Sequence, residues 1–72
     1  MSWNDIKWQH KTKNGKYFVS TTKIMFSGWE TMVFRIINDN VDYHELESRR
    51  YNGENEAYSG HIEIFTRWDE KE

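Results

Sequence analysis

Apolar and polar residues alternate along most of this chain, and the period changes near its end. "IKWQHK" and "KYFVSTTK" flank "KNGK", whose Asn14-Gly15 is the dipeptide best suited to a two-residue type I′ turn, because both central positions need positive φ. That turn pairs Ile6 with Lys23, Trp8 with Thr21, His10 with Val19 and Thr12 with Tyr17. Ile6, Trp8, Tyr17 and Val19 then collect on one face as the better core candidates. Ser27-Gly28 turns the second strand into a third, "WETMVFRII", in which Glu30, Met32, Phe34 and Ile36 share one side and Thr31, Val33 and Arg35 the other. "NDN" at 38–40 is a further turn cluster. "YHELESRRY" reads as a polar fourth strand at a sheet edge, where charge blocks unwanted pairing.

From Asn52 the pattern becomes helical. Asn52 is the expected N-cap, and Glu54 and Glu56 sit in a first turn where they favour the helix dipole. Ala57, His61, Ile64 or Phe65, and Trp68 recur at helical spacing, with Tyr58 and Ile62 widening the stripe. The spacing predicts a helix over about 53–69 lying across one sheet face. Gly60 costs such a helix about 1 kcal/mol relative to alanine, so it is expected to serve close packing against a strand. The predicted fold is α+β: a small antiparallel meander of about four strands with one C-terminal helix packed on one face, a single domain over 1–72.

Composition narrows the chemistry. A chain of 72 residues is near the lower limit for a core without staples. The absence of cysteine removes disulfides and thiolate zinc sites and favours a reducing compartment. Four Trp, four Tyr and four Phe make the expected core small and aromatic. No run approaches the roughly 20 apolar residues of a membrane helix, and "MSWNDIKW" has neither a basic head nor an apolar stretch, so a cytoplasmic protein with no membrane contact is expected. The net charge of −2 conceals a polarity: residues 1–36 carry six basic and two acidic side chains, residues 37–72 four basic and ten acidic.

The ordered segments "YFVSTTKI", "ETMVF", "ELESRRY" and "EAYSGH" resemble a family of short hypothetical proteins common in bacteriophages and in bacterial genomes carrying prophages. Its members read approximately Tyr-x-Val-Ser-Thr, Glu-Thr-Met-Val-Phe, Arg-Tyr-x-Thr and Glu-Ala-x-x-Gly-His. The likeness spans Tyr17 to His61. It departs at Gly53, where members often have threonine, and in the short "FSG" before Glu-Thr-Met-Val-Phe. The resemblance implies a phage or prophage origin and a sheet-plus-helix fold, and it implies no activity.

Within the matched pattern Glu30, Arg50 and His61, beside Tyr51, form the candidate chemical set. A Glu/Arg/His cluster is able to run acid and base steps or to bind an anion. The favoured alternative is a structural polar cluster tying helix to sheet, because no nucleophile elbow, phosphate loop or paired catalytic carboxylates accompany it. His10, His44 and His61 lack the spacing that puts two imidazoles on one helical face, so no metal or cofactor is expected.

Two binding surfaces are legible. Lys7, Lys11, Lys13 and Lys16 surround the first hairpin with Trp8 and Tyr17 nearby, a composition suited to single-stranded nucleic acid. The leading expectation is stoichiometric binding to a larger host or phage protein, including inhibition of a host defence or nucleic-acid enzyme, without turnover. Its expected contacts are aromatic, at Trp3 and Trp29, and acidic, at Glu54, Glu56 and Glu63. Trp29, next to a tight turn, is expected either as an exposed anchor or as a cap over the end of the core. One helix covers only one sheet face, so the uncovered aromatics are also a route to a homodimer.

Overall fold

The computed structural model describes residues 5–24 and 28–71. Four strands, β1 (Asp5–Lys11), β2 (Tyr17–Ile24), β3 (Gly28–Ile37) and β4 (Asn40–Tyr51), precede one helix, α1 (Glu54–Asp69). The strands form one antiparallel sheet in the order β1-β2-β3-β4, so each pairs with its sequence neighbour and β1 and β4 are the edges. This is the α+β meander with a C-terminal helix that the pattern predicts. Among the described residues no helix is long and apolar enough to cross a membrane.

The first hairpin keeps its expected centre but not its expected turn. Trp8 faces Thr21, and His10 faces Val19. The connection is a four-residue loop, closed by Thr12 N–H donating to Tyr17 O at 2.9 Å, and inside it Gly15 N–H donates to Thr12 O at 2.9 Å. Only Gly15 there takes positive φ, 73°, so the two positive values of a type I′ turn are absent. Asn14 is used otherwise: its Oδ1 accepts from Thr12 Oγ1 (2.8 Å) and Lys16 N–H (2.9 Å), which stabilises the wider loop. An irregularity between Ile6 and Trp8 then slips the strand by one residue, setting Ile6 opposite Thr22 and not Lys23. The tight turn lies instead between β3 and β4. Asn38 and Asp39 have φ of 53° and 65° between paired Ile37 and Asn40, the two-residue arrangement with both residues left-handed.

β3 places Trp29, Thr31 and Val33 toward α1, and all three are buried. Glu30, Met32, Phe34 and Ile36 therefore face away from the helix. Between Val33 and Arg35 the β3–β4 register shifts: Val33 pairs with Glu47 but Arg35 with Asp42, so β4 carries a bulge of extra residues spanning Tyr43–Leu46.

α1 begins one residue later than expected. Its N-cap is Gly53, in extended backbone with no side-chain cap, and Gly53 O accepts the Ala57 N–H at 3.0 Å, so Asn52 lies just outside the helix and does not cap it. Ala57, Gly60, His61 and Ile64 are its buried line. Two apolar clusters result: Val19, Val33 and Ile64 with Tyr17, Phe65 and Trp68 around them, and Trp29, Tyr51 and Ala57 with Trp8 against them. Gly60 serves the expected close packing, since a Cβ there would collide with the Tyr51 ring. Tyr58 and Ile62 do not widen the core; they lie on the outer flank, 51 % and 46 % exposed.

Candidate functional site

His61 sits between the two apolar clusters, one turn from Ala57 and one from Ile64, and only 3 % exposed. Its ring must therefore find partners inside the sheet–helix interface. Cross-strand pairing supplies them: Thr21 and Thr31 face each other across β2 and β3, both fully buried. Thr21 Oγ1 lies 2.7 Å from His61 Nδ1 and 2.6 Å from Thr31 Oγ1, and His61 Nε2 lies 2.9 Å from Nδ1 of His10 on β1. The result is one hydrogen-bonded chain from an exposed imidazole into the middle of the fold.

Burial first, and the neighbouring His10 second, push the His61 imidazole down to about 4. At neutral pH it is uncharged, with one N–H, and the chain has two self-consistent directions. In one, Thr31 donates to Thr21, Thr21 to His61 Nδ1, and His61 Nε2–H to His10. In the other, His10 Nδ1–H donates to His61 Nε2, His61 Nδ1–H to Thr21, and Thr21 to Thr31. The Thr21–His61 contact has the composition of a nucleophile and its base. Because both threonines are fully buried, no substrate atom reaches the hydroxyl, and the chain acts as a polar pin between helix and sheet.

The Glu/Arg/His set of the sequence is divided by the sheet. Glu30 and Arg50 are register partners on the face away from α1, with Arg50 Nε donating to Glu30 Oε2 at 3.2 Å; His61 is on the opposite face. An anion or acid–base site made of all three is therefore absent. Tyr51 is a core residue under Gly60. Glu30 and Arg50 border an open depression of ≈ 510 Å³ whose floor includes Ser20, Met32, Phe34 and Tyr43. Among the described residues no group of three or more His, Cys, Asp or Glu is placed to hold a metal ion.

The expected binding residues also separate. Trp29 is 5 % exposed and stacked on Trp8 with ring centroids 5.8 Å apart, so it caps the end of the core and is not an exposed anchor. Trp3 lies outside the described residues, and of Lys7 only the backbone is described. Lys11, Lys13 and Lys16 are exposed around the first loop, but Lys13 Nζ lies 3.8 Å from Asp69, whose Oδ1 accepts the Lys13 N–H at 2.7 Å. Glu54, Glu56 and Glu63 are exposed on α1, and Glu63 accepts from Arg49 at 3.2 Å. Farther along, Glu47 of β4 takes both Arg67 guanidinium nitrogens (2.9 and 2.7 Å) and the Trp68 indole N–H (2.8 Å). The Arg67 hydrogen bonds hold the Glu47 carboxyl below the usual carboxylate range.

Two surface features escape the sequence reading. Tyr58 and Ile62 look like core because they fall near the helical stripe; Gly60 at the centre of the buried line is the signal that displaces them to a flank. His10 shares a face with Trp8 and Val19 in the predicted hairpin, and that placement is enough to aim it at a helix carrying His61. Fold and surface together define a small α+β domain with one sheet face covered by α1 and the other covered by no described element. No protein-family model, curated protein or solved structure matches this chain.

Proposed function

We propose that this chain is a small phage-type accessory protein that works by stoichiometric binding to a larger host or phage protein in the host cytoplasm, without turnover. The observation that carries the reading is the outer flank of α1. Tyr58 and Ile62, four residues apart, leave about half of their surface in solvent (51 % and 46 %), and Trp8 extends the patch through its edge contact with Tyr58 at 5.2 Å. Exposed Glu54, Glu56 and Glu63 lie on the same helix, and charge of that kind selects a basic partner surface and speeds encounter. A tyrosine and a branched aliphatic one turn apart are suitable anchors for a groove. The likeness to short phage proteins and the absence of cysteine support the cellular setting.

The test is a titration of a partner captured from host lysate and then purified. Binding that saturates at one copy per target, and that weakens about 30-fold for Tyr58→Ala with Ile62→Asp at unchanged fold, supports the reading. Full effect at a small fraction of the target concentration, or unchanged affinity in the variant, overturns it. Single-stranded nucleic acid is the second reading, favoured by exposed Lys11 and Lys16 beside the half-buried Phe18. It requires salt-sensitive binding of an oligonucleotide that Lys11→Glu with Lys16→Glu abolishes.

A further inference from the structure

We infer that the sheet face away from α1 is a self-association surface, against which a second copy of this chain packs face to face about a two-fold axis lying across the strands. β3 is a central strand, and it is apolar on both sides: Val33 points toward α1, while Met32, Phe34 and Ile36 point away. An antiparallel sheet with one solvated face places polar residues there. Here Met32, Ile36 and the neighbouring Phe18 are half-buried on a side that no described element covers, and Tyr43, 73 % exposed, rests edge-on against Phe34 with ring centroids 5.1 Å apart. A sheet with two apolar faces needs a layer on each. α1 is one layer, and a second copy supplies the other.

The area is sufficient for a weak dimer. Four strands about 4.8 Å apart, each about eight residues long at about 3.3 Å per residue, present a face of about 500 Å², which fits inside Cα extents of 34 × 25 × 16 Å. Two such faces bury about 1,000 Å², at the lower bound for specific association, so the dimer is concentration-dependent.

Charge selects the arrangement. Lys16, exposed and bonded through its carbonyl to Ile36 N–H at 2.7 Å, marks one end of the face; Glu30 marks the other. A two-fold axis across the strands exchanges the ends. It brings Lys16 over the partner's Glu30 and sets Met32, near the middle, against its own copy. A polyanion fits this face less well, because the Glu30 carboxylate lies on it and, among its described side chains, only Lys11 and Lys16 are cations without a carboxylate partner.

Sedimentation equilibrium of the full chain from about 5 µM to about 500 µM is the test, a range that brackets the affinity expected of so small an interface. The expected result is an average mass rising from 8.8 kDa toward twice that value. Met32→Lys, on the face away from α1, is expected to stay monomeric throughout with an unchanged melting profile. Lys16→Glu is expected to weaken association several-fold, and Glu30→Lys added to it to restore part of the loss. Should Met32→Lys fail to fold, amide shifts of the wild type on dilution decide: changes centred on Ser20, Met32 and Tyr43 support the surface. A monomer at every concentration, dilution shifts confined to α1, or an oligothymidylate that shifts this face while the mass stays monomeric each overturns it.

Discussion

Gly60 and Tyr51 compete for the same space, which makes the pair the most sensitive contact in the fold. Alanine at Gly60 gains about 1 kcal/mol of helix propensity, yet the collision with the Tyr51 ring is expected to cost about 1–3 kcal/mol as overpacking. Urea unfolding of Gly60→Ala should therefore show a net loss, and a double-mutant cycle with Tyr51→Ala should show strong coupling. The Tyr51 hydroxyl is buried without a hydrogen-bond partner among the described residues. Tyr51→Phe removes that orphan group and is expected to leave stability unchanged or raise it by up to about 1 kcal/mol. His61 sets the acid limit. It is held at about 4 in the fold against an ordinary 6.5, so as pH falls the unfolded chain takes up the proton first. The stabilisation is complete above about 6.5 and is lost between about 6.5 and 4, by about 3 kcal/mol in total. His61→Ala is expected to lower stability at neutral pH by about 2 kcal/mol or more and to flatten that acid slope; a variant that kept the slope would assign it to another group.

At the scale of elements, the hairpins separate what pattern reveals from what it hides. The strand and helix periods are visible because burial on one face forces them, and the pairing of Trp8 with Thr21 and His10 with Val19 follows from the loop centre that Asn14-Gly15 marks. The turn type is not visible in the same way. Asn14-Gly15 has the right residues for a type I′ turn, but the Thr12 and Asn14 side chains bond the backbone into a wider loop with the same centre. The face of β3 that meets α1 was equally hidden, since Met32, Phe34 and Ile36 are the more apolar set and nevertheless point away from it. The helix instead selects the set carrying Thr31, which bonds Thr21 of β2 and through it reaches His61. In the β3–β4 hairpin Asp39 pays for its left-handed backbone, so Asp39→Gly is expected to raise stability by about 0.5–1 kcal/mol in thermal unfolding. Glu47 fastens the last turn of α1 to an edge strand through Arg67 and Trp68. Glu47→Gln is expected to cost about 0.5–1 kcal/mol, this partly solvated pair being discounted for screening, and to speed amide exchange at 66–69 before it does so in the sheet.

Across the whole molecule, the helix side is rich in ion pairs and the opposite face is poor in them: Arg49 with Glu63, Arg67 with Glu47 and Lys13 with Asp69 lie on the first, Arg50 with Glu30 on the second. Added salt should therefore weaken encounters made through α1 more than those made through the apolar centre of the sheet. The strand order also governs how the chain reaches this structure. Since every strand joins its predecessor, each hairpin closes only a short loop, and the slow, long-range step is left to α1, the last segment. Such a route favours folding on the order of milliseconds. It also leaves both faces of β3 in reach of chaperones until α1 docks.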